Sequence, residues 1–399
     1  MGKVATEAKL QEAVDVLKII AKNNLGAFQD YAGIRKVIRA GMAPTYFDIG
    51  DQIITPYHIE NGATYDAPWD VKHIANDGVY LGMHYALPDD MQFDAPEALY
   101  YASEELPAGT YNISIAVGYG NGWVSGKSIQ FTLANPVPVG GQIYIECSTS
   151  NNNDPTAGRT LTVYQSKGST TVVETTTTSN GTEGTNLGST STNAQKTNGN
   201  INAISRAVYG SGRYSESAIR QWLNSEMPAN QWWKPQNNWD RPPRTADLNR
   251  AGFLTRLPSD FVSILDYNDI TVALNTQEVF SSDHEVVRDR IFLPSLENMN
   301  VAPQLAGAEG PVWDYYKILA QEAGVPGGQF KQYTNYDVLK HFNLATVGAN
   351  LSSFNVWLLS CSRNYASSAW YVGSYGYVNY YSAFNAIRSC PACKIKVIE

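Results

Sequence analysis

Cysteine, charge and long apolar runs are all scarce in this chain. Four cysteines, Cys147, Cys361, Cys390 and Cys393, are spread over 399 residues. That is too few for a disulfide framework and points to synthesis in a reducing cytoplasm. Charged residues make up 17%, below the globular norm of about 25%. Lys plus Arg is 29 against 37 Asp plus Glu, a net charge of −8. An acidic chain without a basic run is not expected to bind nucleic acid. No apolar run reaches the ~18 residues of a membrane span. Lys9, Glu12, Asp15 and Lys18 interrupt every apolar stretch near the N-terminus, so neither membrane insertion nor a signal peptide is expected. If the protein acts outside the cell, it is expected to leave by a route such as lysis.

Catalytic and metal-binding motifs are missing too. There is no GxSxG elbow, Walker motif or HExxH. Gly118, Gly120 and Gly122 form a GxGxG, but Trp123-Val124 and a strand pattern follow it. A phosphate cradle needs a helix N-terminus at that point, so a hairpin turn is expected. His58, His73, His84, His284 and His341 show no metal-ligand spacing. Cys390-Pro-Ala-Cys393 is a lone CxxC, and the Lys394–Ile398 stretch after it reads as a strand. A reactive thiol of the CxxC type needs a helix there, so two buried thiols are expected. No catalytic residue, metal ligand or cofactor is assigned.

Aromatics are abundant: 12%, with 25 Tyr, 12 Phe and 9 Trp. That surplus is typical of recognition surfaces. The texture changes along the chain. Residues 4–22 read as an amphipathic helix with Leu10, Ala13, Leu17 and Ile20 on one face. It either packs on its own domain or joins copies of the chain through the N-terminal region. A second helical stretch ends at Ala40, with Gly41 suited to its C′ position. Residues 1–41 are therefore an N-terminal helical segment.

From residue 42 to 178 the period is two, as in Tyr111, Ile113 and Ile115, then Ile129, Phe131 and Leu133, then Ile143, Ile145 and Cys147, then Leu161 and Val163. Many short strands without helices predict an antiparallel β-sandwich domain, with Thr170–Thr178 as its last edge strand. Residues 179–199 are rich in Ser, Thr, Gly and Asn and predict a solvated connection. Residues 200–399 read as an α+β domain with long loops. Its helices are predicted over Glu216–Ser225 behind a Ser215 cap, Thr245–Ala251, Ser259–Leu265 and Val312–Ala323.

The segment Leu359–Ile387 is anomalous. Its 29 residues hold six Tyr, six Ser, four Ala and three Asn, and its only charge is Arg363. Tyr offers large amphipathic area at low rotamer cost, while Ser, Asn and Gly offer adaptable hydrogen bonds, as in antibody paratopes. Trp357, Trp370, Val372 and Val378 punctuate the run like buried scaffold. Tyr365, Tyr371, Tyr375, Tyr377, Tyr380, Tyr381 and Phe384 are then expected to be exposed and clustered. Apart from Trp370, every residue in the window has a codon ending in a pyrimidine. Randomising the adenines of Asn codons would generate this set.

Here the chain resembles a family: the target proteins of diversity-generating retroelements, in particular the variable proteins of gut phages. The resemblance rests on Tyr214-Ser-Glu-Ser-Ala-Ile-Arg-Gln-Trp-Leu-Asn224, Phe292-Leu-Pro-Ser-Leu296, Trp357-Leu-Leu-Ser360, Ala369-Trp-Tyr-Val372, Gly376-Tyr-Val378, Ala386-Ile-Arg388 and Pro391-Ala392-Cys393. It implies a C-type-lectin-like domain over 200–399, with a variable region at about 357–393 on a rigid frame. It also implies a receptor-binding role at a phage tail, in a virion protein made in the host cytoplasm. A bacterial cell-surface location is the alternative. The partner would be a protein or glycan on a bacterial surface. On composition, the variable, ligand-binding positions are Leu359, Cys361, Ser362, Asn364, Tyr365, Ser367, Ser368, Tyr371, Gly373, Tyr375, Tyr377, Asn379, Tyr380, Tyr381, Ser382, Phe384, Asn385 and Ile387. The EPN, QPD and WND motifs of calcium-dependent lectins are absent, so calcium-mediated sugar binding is not implied. Two rivals stand beside this reading. One is a virion structural protein without a receptor. The other is a formylglycine-generating type of oxidoreductase using Cys361, Cys390 and Cys393.

Overall fold

The computed structural model describes residues 13–14, 16–17, 30–59, 62–95, 99–101, 104–115, 127–139, 141–147, 161–164, 171–176, 179–189, 210–236, 242–275, 282–301, 309–331, 355–365 and 367–397. The helix expected over residues 4–22 lies almost wholly outside the described residues, as do the glycines of the GxGxG. Four residues of that helix, Ala13, Val14, Val16 and Leu17, are helical, and Leu17 is exposed.

Helix α1 spans Tyr31–Arg39. The Asp30 side chain accepts from Gly33 N at 3.0 Å at its start, and Gly41, at φ +69°, follows its end. Tyr31, Ile34 and Ile38 form its buried face. A short helix α2 (Ala43–Tyr46) leads into an antiparallel meander of β1 (Gln52–His58), β2 (Thr64–Ala75) and β3 (Gly78–Met83). The two-residue strand β4 is Met91–Gln92.

The chain then leaves this body and returns beside its exit. Ser211 N donates to Asp94 Oδ2 at 2.8 Å. A Cβ on Gly210 would lie 2.9 Å from the carbonyl oxygens of both Asp94 and Ala95, and Gly210 sits at φ +73°. Only glycine suits that close crossing. Between the two strands of this neck lies a β unit. It contains β5 (Leu99–Tyr101), β6 (Gly109–Ile115), β7 (Lys127–Leu133), β8 (Gln142–Cys147), β9 (Leu161–Tyr164), β10 (Val172–Thr176) and β11 (Thr185–Ser189). They form two small sheets, β10-β9-β8-β5 and β11-β6-β7. Ile113, Ile129, Phe131, Ile143 and Val163 are buried.

After the neck come a 3-10 turn at Tyr214–Glu216 and α3 (Ala218–Leu223), then α4 (Thr245–Leu248), α5 (Ser259–Ile264), the hairpin β12 (Asn268–Ala273) and β13 (His284–Asp289), β14 (Ile291–Phe292), and α6 (Asp314–Glu322). The strands β15 (Val356–Cys361), β16 (Ser368–Val372), β17 (Val378–Ser382), β18 (Ala386–Ser389) and β19 (Ala392–Lys396) close the described chain. The class is mixed α+β, mostly sheet. No described helix is long and apolar enough to cross a membrane.

Three expectations are corrected. The residues 42–178 are not one sandwich. β3 pairs with β19 and β4 with β18, in five-stranded sheets ordered β1-β2-β3-β19-β14 and β17-β16-β15-β18-β4. One hydrophobic core draws on both sides of the β unit, from Trp69, Val71, Leu81 and Phe93 to Trp222, Trp313, Trp357 and Ile395. Period two marks a strand but not its partner, so the early strands look no different from those of the β unit. The connection 179–199 is also not wholly solvated: β11 runs parallel to β6 and buries Leu187. Finally, the cap of α3 is Ser217 rather than Ser215; its Oγ accepts from Arg220 N at 3.3 Å.

Candidate functional site

The anomalous segment forms β15 to β18 of the second sheet. β15 and β16 are buried along their whole length, and β17, at the sheet edge, is the strand that emerges. The loop between β16 and β17 is closed by Gly373 N donating to Tyr377 O at 2.7 Å and Gly376 N to Gly373 O at 2.8 Å, with Gly376 at φ +79°.

Register decides which side chains share a face. Trp370 pairs with Tyr380 and Val372 with Val378, while Ala369 pairs with Tyr381 and Tyr371 with Asn379. Directly opposed residues point the same way, and neighbours along a strand point opposite ways. Tyr380 and Tyr381 therefore lie on opposite faces. The ring contacts agree. On one face Tyr380 meets Trp370 edge-on at 5.5 Å and is stacked on by Tyr365 at 5.0 Å and 26°. On the other, Tyr381 lies 6.5 Å from Trp357 and 5.8 Å from Tyr371, and Tyr371 meets Tyr377 at 6.1 Å with hydroxyls 3.3 Å apart.

Trp357, Trp370, Val372 and Val378 are buried, as expected for scaffold. Among the proposed variable positions, Asn364, Tyr365, Tyr375 and Tyr381 are exposed. Ser367, Tyr377, Asn379, Tyr380, Ser382, Phe384 and Asn385 are half-buried. Leu359, Cys361, Ser362, Ser368, Tyr371, Gly373 and Ile387 are buried and do not reach the surface. Leu359 and Cys361 sit on the central strand, and the Cys361 thiol donates to Ala273 O at 3.1 Å. Ser362 N donates to Ser368 O at 2.8 Å, closing the β15–β16 turn. Tyr371 was expected to be exposed; it is covered by Tyr377 and Tyr381. A Cβ on Gly373 would lie 2.6 Å from the Tyr377 ring, so any other residue there displaces that ring. Ile387 on β18 opposes Met91 of β4. The expected single cluster is thus two smaller groups on opposite faces.

Support for the site comes from residues that composition did not mark. Trp357 Nε1 donates to Met91 O at 3.1 Å, and its ring meets Phe93 at 5.4 Å. Gln92 Nε2 donates to Phe384 O at 2.6 Å, and Gln92 Oε1 accepts from Arg244 N at 2.8 Å. Arg244 and Arg250 both pair with the buried Asp247. These partners lie far away in sequence, and no local pattern points to them.

A comparison with known families now bears on this sheet: one family description matches residues 169–397. The chain belongs to the DUF6273 family, a domain of unknown function. No curated protein and no solved structure matches the chain. The DUF6273 span takes in β10 through β19 but omits β1 to β4, which complete both five-stranded sheets.

Elsewhere in the chain, several titratable groups are buried or paired. Cys361, Cys390 and Cys393 are free, buried thiols. Burial pushes Cys390 up to about 12 and raises Cys393 as well, so neither is a thiolate at neutral pH. His73 and His84 each pair with one carboxylate, Asp314 at 2.8 Å and Asp70 at 2.9 Å. Among the described residues no group of three or more His, Cys, Asp or Glu could hold a metal ion.

Glu309 gives a testable pH dependence. Its buried carboxyl accepts from Ser360 Oγ on β15 at 2.5 Å and from Ala273 N on β12 at 3.1 Å. Burial pushes it up to about 7 from 4.5, and those two hydrogen bonds oppose the rise. Between these values the unfolded chain is ionised and the folded one is not. Stability from this group is therefore full below pH 4.5 and is lost as pH rises towards 7, by about 3 kcal/mol in all. Glu309→Gln removes the titration. Denaturant unfolding at pH 5 and pH 8 should show the wild type losing more stability than the variant over that interval. Equal losses would contradict the assignment.

Proposed function

We propose that this chain is a receptor-binding protein of the retroelement-diversified type, built on a C-type-lectin-like frame. Its β16–β17 edge would adhere to bacterial cells from a phage tail. The observation that carries the reading is the division of labour within one short segment. The two tryptophans are buried while Tyr365, Tyr375, Tyr381 and Asn364 stand exposed beside them. Exposed aromatics gathered on a rigid support are unusual in monomers unless they bind something. Buried, protonated thiols favour this reading over thiol oxidation.

Two measurements test it. The DNA around the gene should contain a near-repeat of the last coding segment, differing at adenines, beside a reverse-transcriptase gene. Purified protein should bind intact cells of some gut bacterial isolates with or without chelator. Replacing Asn364, Tyr365, Tyr375 and Tyr381 together by Ala should abolish that binding without lowering the melting temperature, because these side chains are exposed. Full binding by the quadruple variant would overturn the proposal.

A further inference from the structure

The outward side of β17 carries hydrogen bonds made by its own segment. Among the described strands β17 pairs with β16 alone. Gly373 N donates to Tyr377 O, and Ala383 N donates to Ser367 O. In an antiparallel ladder, hydrogen-bonded pairs alternate with unbonded ones. With these two pairs bonded, the register puts Asn379 and Tyr381 in the bonded pairs, opposite Tyr371 and Ala369. Val378, Tyr380 and Ser382 therefore turn their N–H and C=O groups away from β16.

Two of these outward groups are already engaged. Tyr380 N donates to Asn379 Oδ1 at 2.8 Å. Ser382 O accepts from Asn385 N and from Asn385 Nδ2, both at 3.0 Å, which fills its two lone pairs. An incoming strand would need that N–H and that C=O to extend the ladder. We propose that Asn379 and Asn385 guard the β17 edge against pairing with the same edge of a second copy of the chain. On composition both count among the ligand-binding positions, and the hydrogen bonds give them this other task. The proposal rests on the receptor-binding reading only in that it removes two residues from the contact set. Partner contact then falls to exposed side chains and not to the main chain.

The composition of the strand explains why a guard is needed. Val378–Ser382 contains no charge and no Pro, the residues that commonly keep sheet edges apart from other chains. Val and Tyr are strong strand formers. Two copies of one edge can also pair antiparallel about a twofold axis, each supplying the same groups.

The test uses the whole protein carrying Asn379→Ala and Asn385→Ala together, which removes the Asn379 Oδ1 and Asn385 Nδ2 bonds. Sedimentation velocity over a rising concentration series should show the wild type keeping one mass and the variant moving to twice that mass. Hydrogen exchange of the associated variant should show new protection at residues 378–382. If the variant melts lower than the wild type, Asn379→Val, a stronger strand former, takes the place of Asn379→Ala. Binding to bacterial isolates, measured below the concentration of association, should match the wild type. Wild-type mass for the variant at every concentration, or new protection away from β17, overturns the guard. Lost cell binding overturns it too, because it makes the two asparagines ligand contacts, and it leaves the receptor reading intact. If no isolate binds the wild type, the receptor reading fails and sedimentation still decides the guard.

Discussion

A chain truncated to begin at residue 200 should fail to fold, whereas one with residues 96–209 replaced by a short Gly/Ser linker should fold normally. The truncation removes β1, β2 and β3 from the first sheet and β4 from the second, leaving β19 paired only with β14. The core loses Ile53, Tyr57, Trp69, Val71, Leu81 and Phe93, all essentially inaccessible to solvent. Burying one such side chain contributes about 1.5–3 kcal/mol, so six of them match or exceed the 5–15 kcal/mol that holds a typical domain together. Arg256, itself buried, would also lose Asp89 and the Tyr57 hydroxyl, and an uncompensated buried charge costs several kcal/mol more. Excision acts differently. The neck brings Gly210 against the carbonyls of Asp94 and Ala95, so a few residues can span it. None of the β unit's described strands contributes to the shared core. Near-UV circular dichroism and thermal melts of both proteins decide the matter. A cooperative melt from the truncated chain would show that the early strands are not needed for the fold, and none from the excised chain would show that the β unit is.

The sequence made individual elements legible where the cause is local. The strand alternation at Tyr111, Ile113 and at Ile129, Phe131, Leu133 appears as β6 and β7, and the glycines after α1 and α6 hold left-handed conformations at φ +69° and +61°. The buried tryptophans of the Tyr-rich segment were legible for the same reason, because large apolar residues in a polar run mark scaffold. Partner choice was not legible. Hydrogen bonding of β3 to β19 joins residues more than 300 apart, and neither strand's pattern names the other. The faces of the site were obscured by composition. Residues such as Tyr371 and Tyr381 have one chemistry, but a pleat and an edge place the first beneath the second. Composition selected the right segment and could not divide it into the side chains that reach solvent and those that support them.

That division predicts opposite outcomes for neighbouring aromatics. Trp370→Ala should cost the fold about 3–5 kcal/mol, the usual range for emptying a buried aromatic site. Trp370 is 1% exposed, and its indole N–H has no partner among the described residues. Its contribution is therefore packing, and Trp370→Phe should recover much of the loss. Trp357 behaves differently because its Nε1 donates to Met91 O and so ties β15 to β4. Trp357→Phe keeps most of the ring but strands a buried carbonyl, which costs about 1–3 kcal/mol. Tyr375→Ala, at 66% exposure, should stay within about 0.5 kcal/mol of the wild type. Urea unfolding of the four variants gives the ordering directly. If Tyr375→Ala proves as damaging as Trp370→Ala, the hairpin tip is packed rather than presented, and the edge cannot serve as a binding surface. If Trp370→Ala unfolds at the wild-type midpoint, the frame behind Tyr380 is not what holds that ring in place, and the pre-set geometry on that face is lost with it.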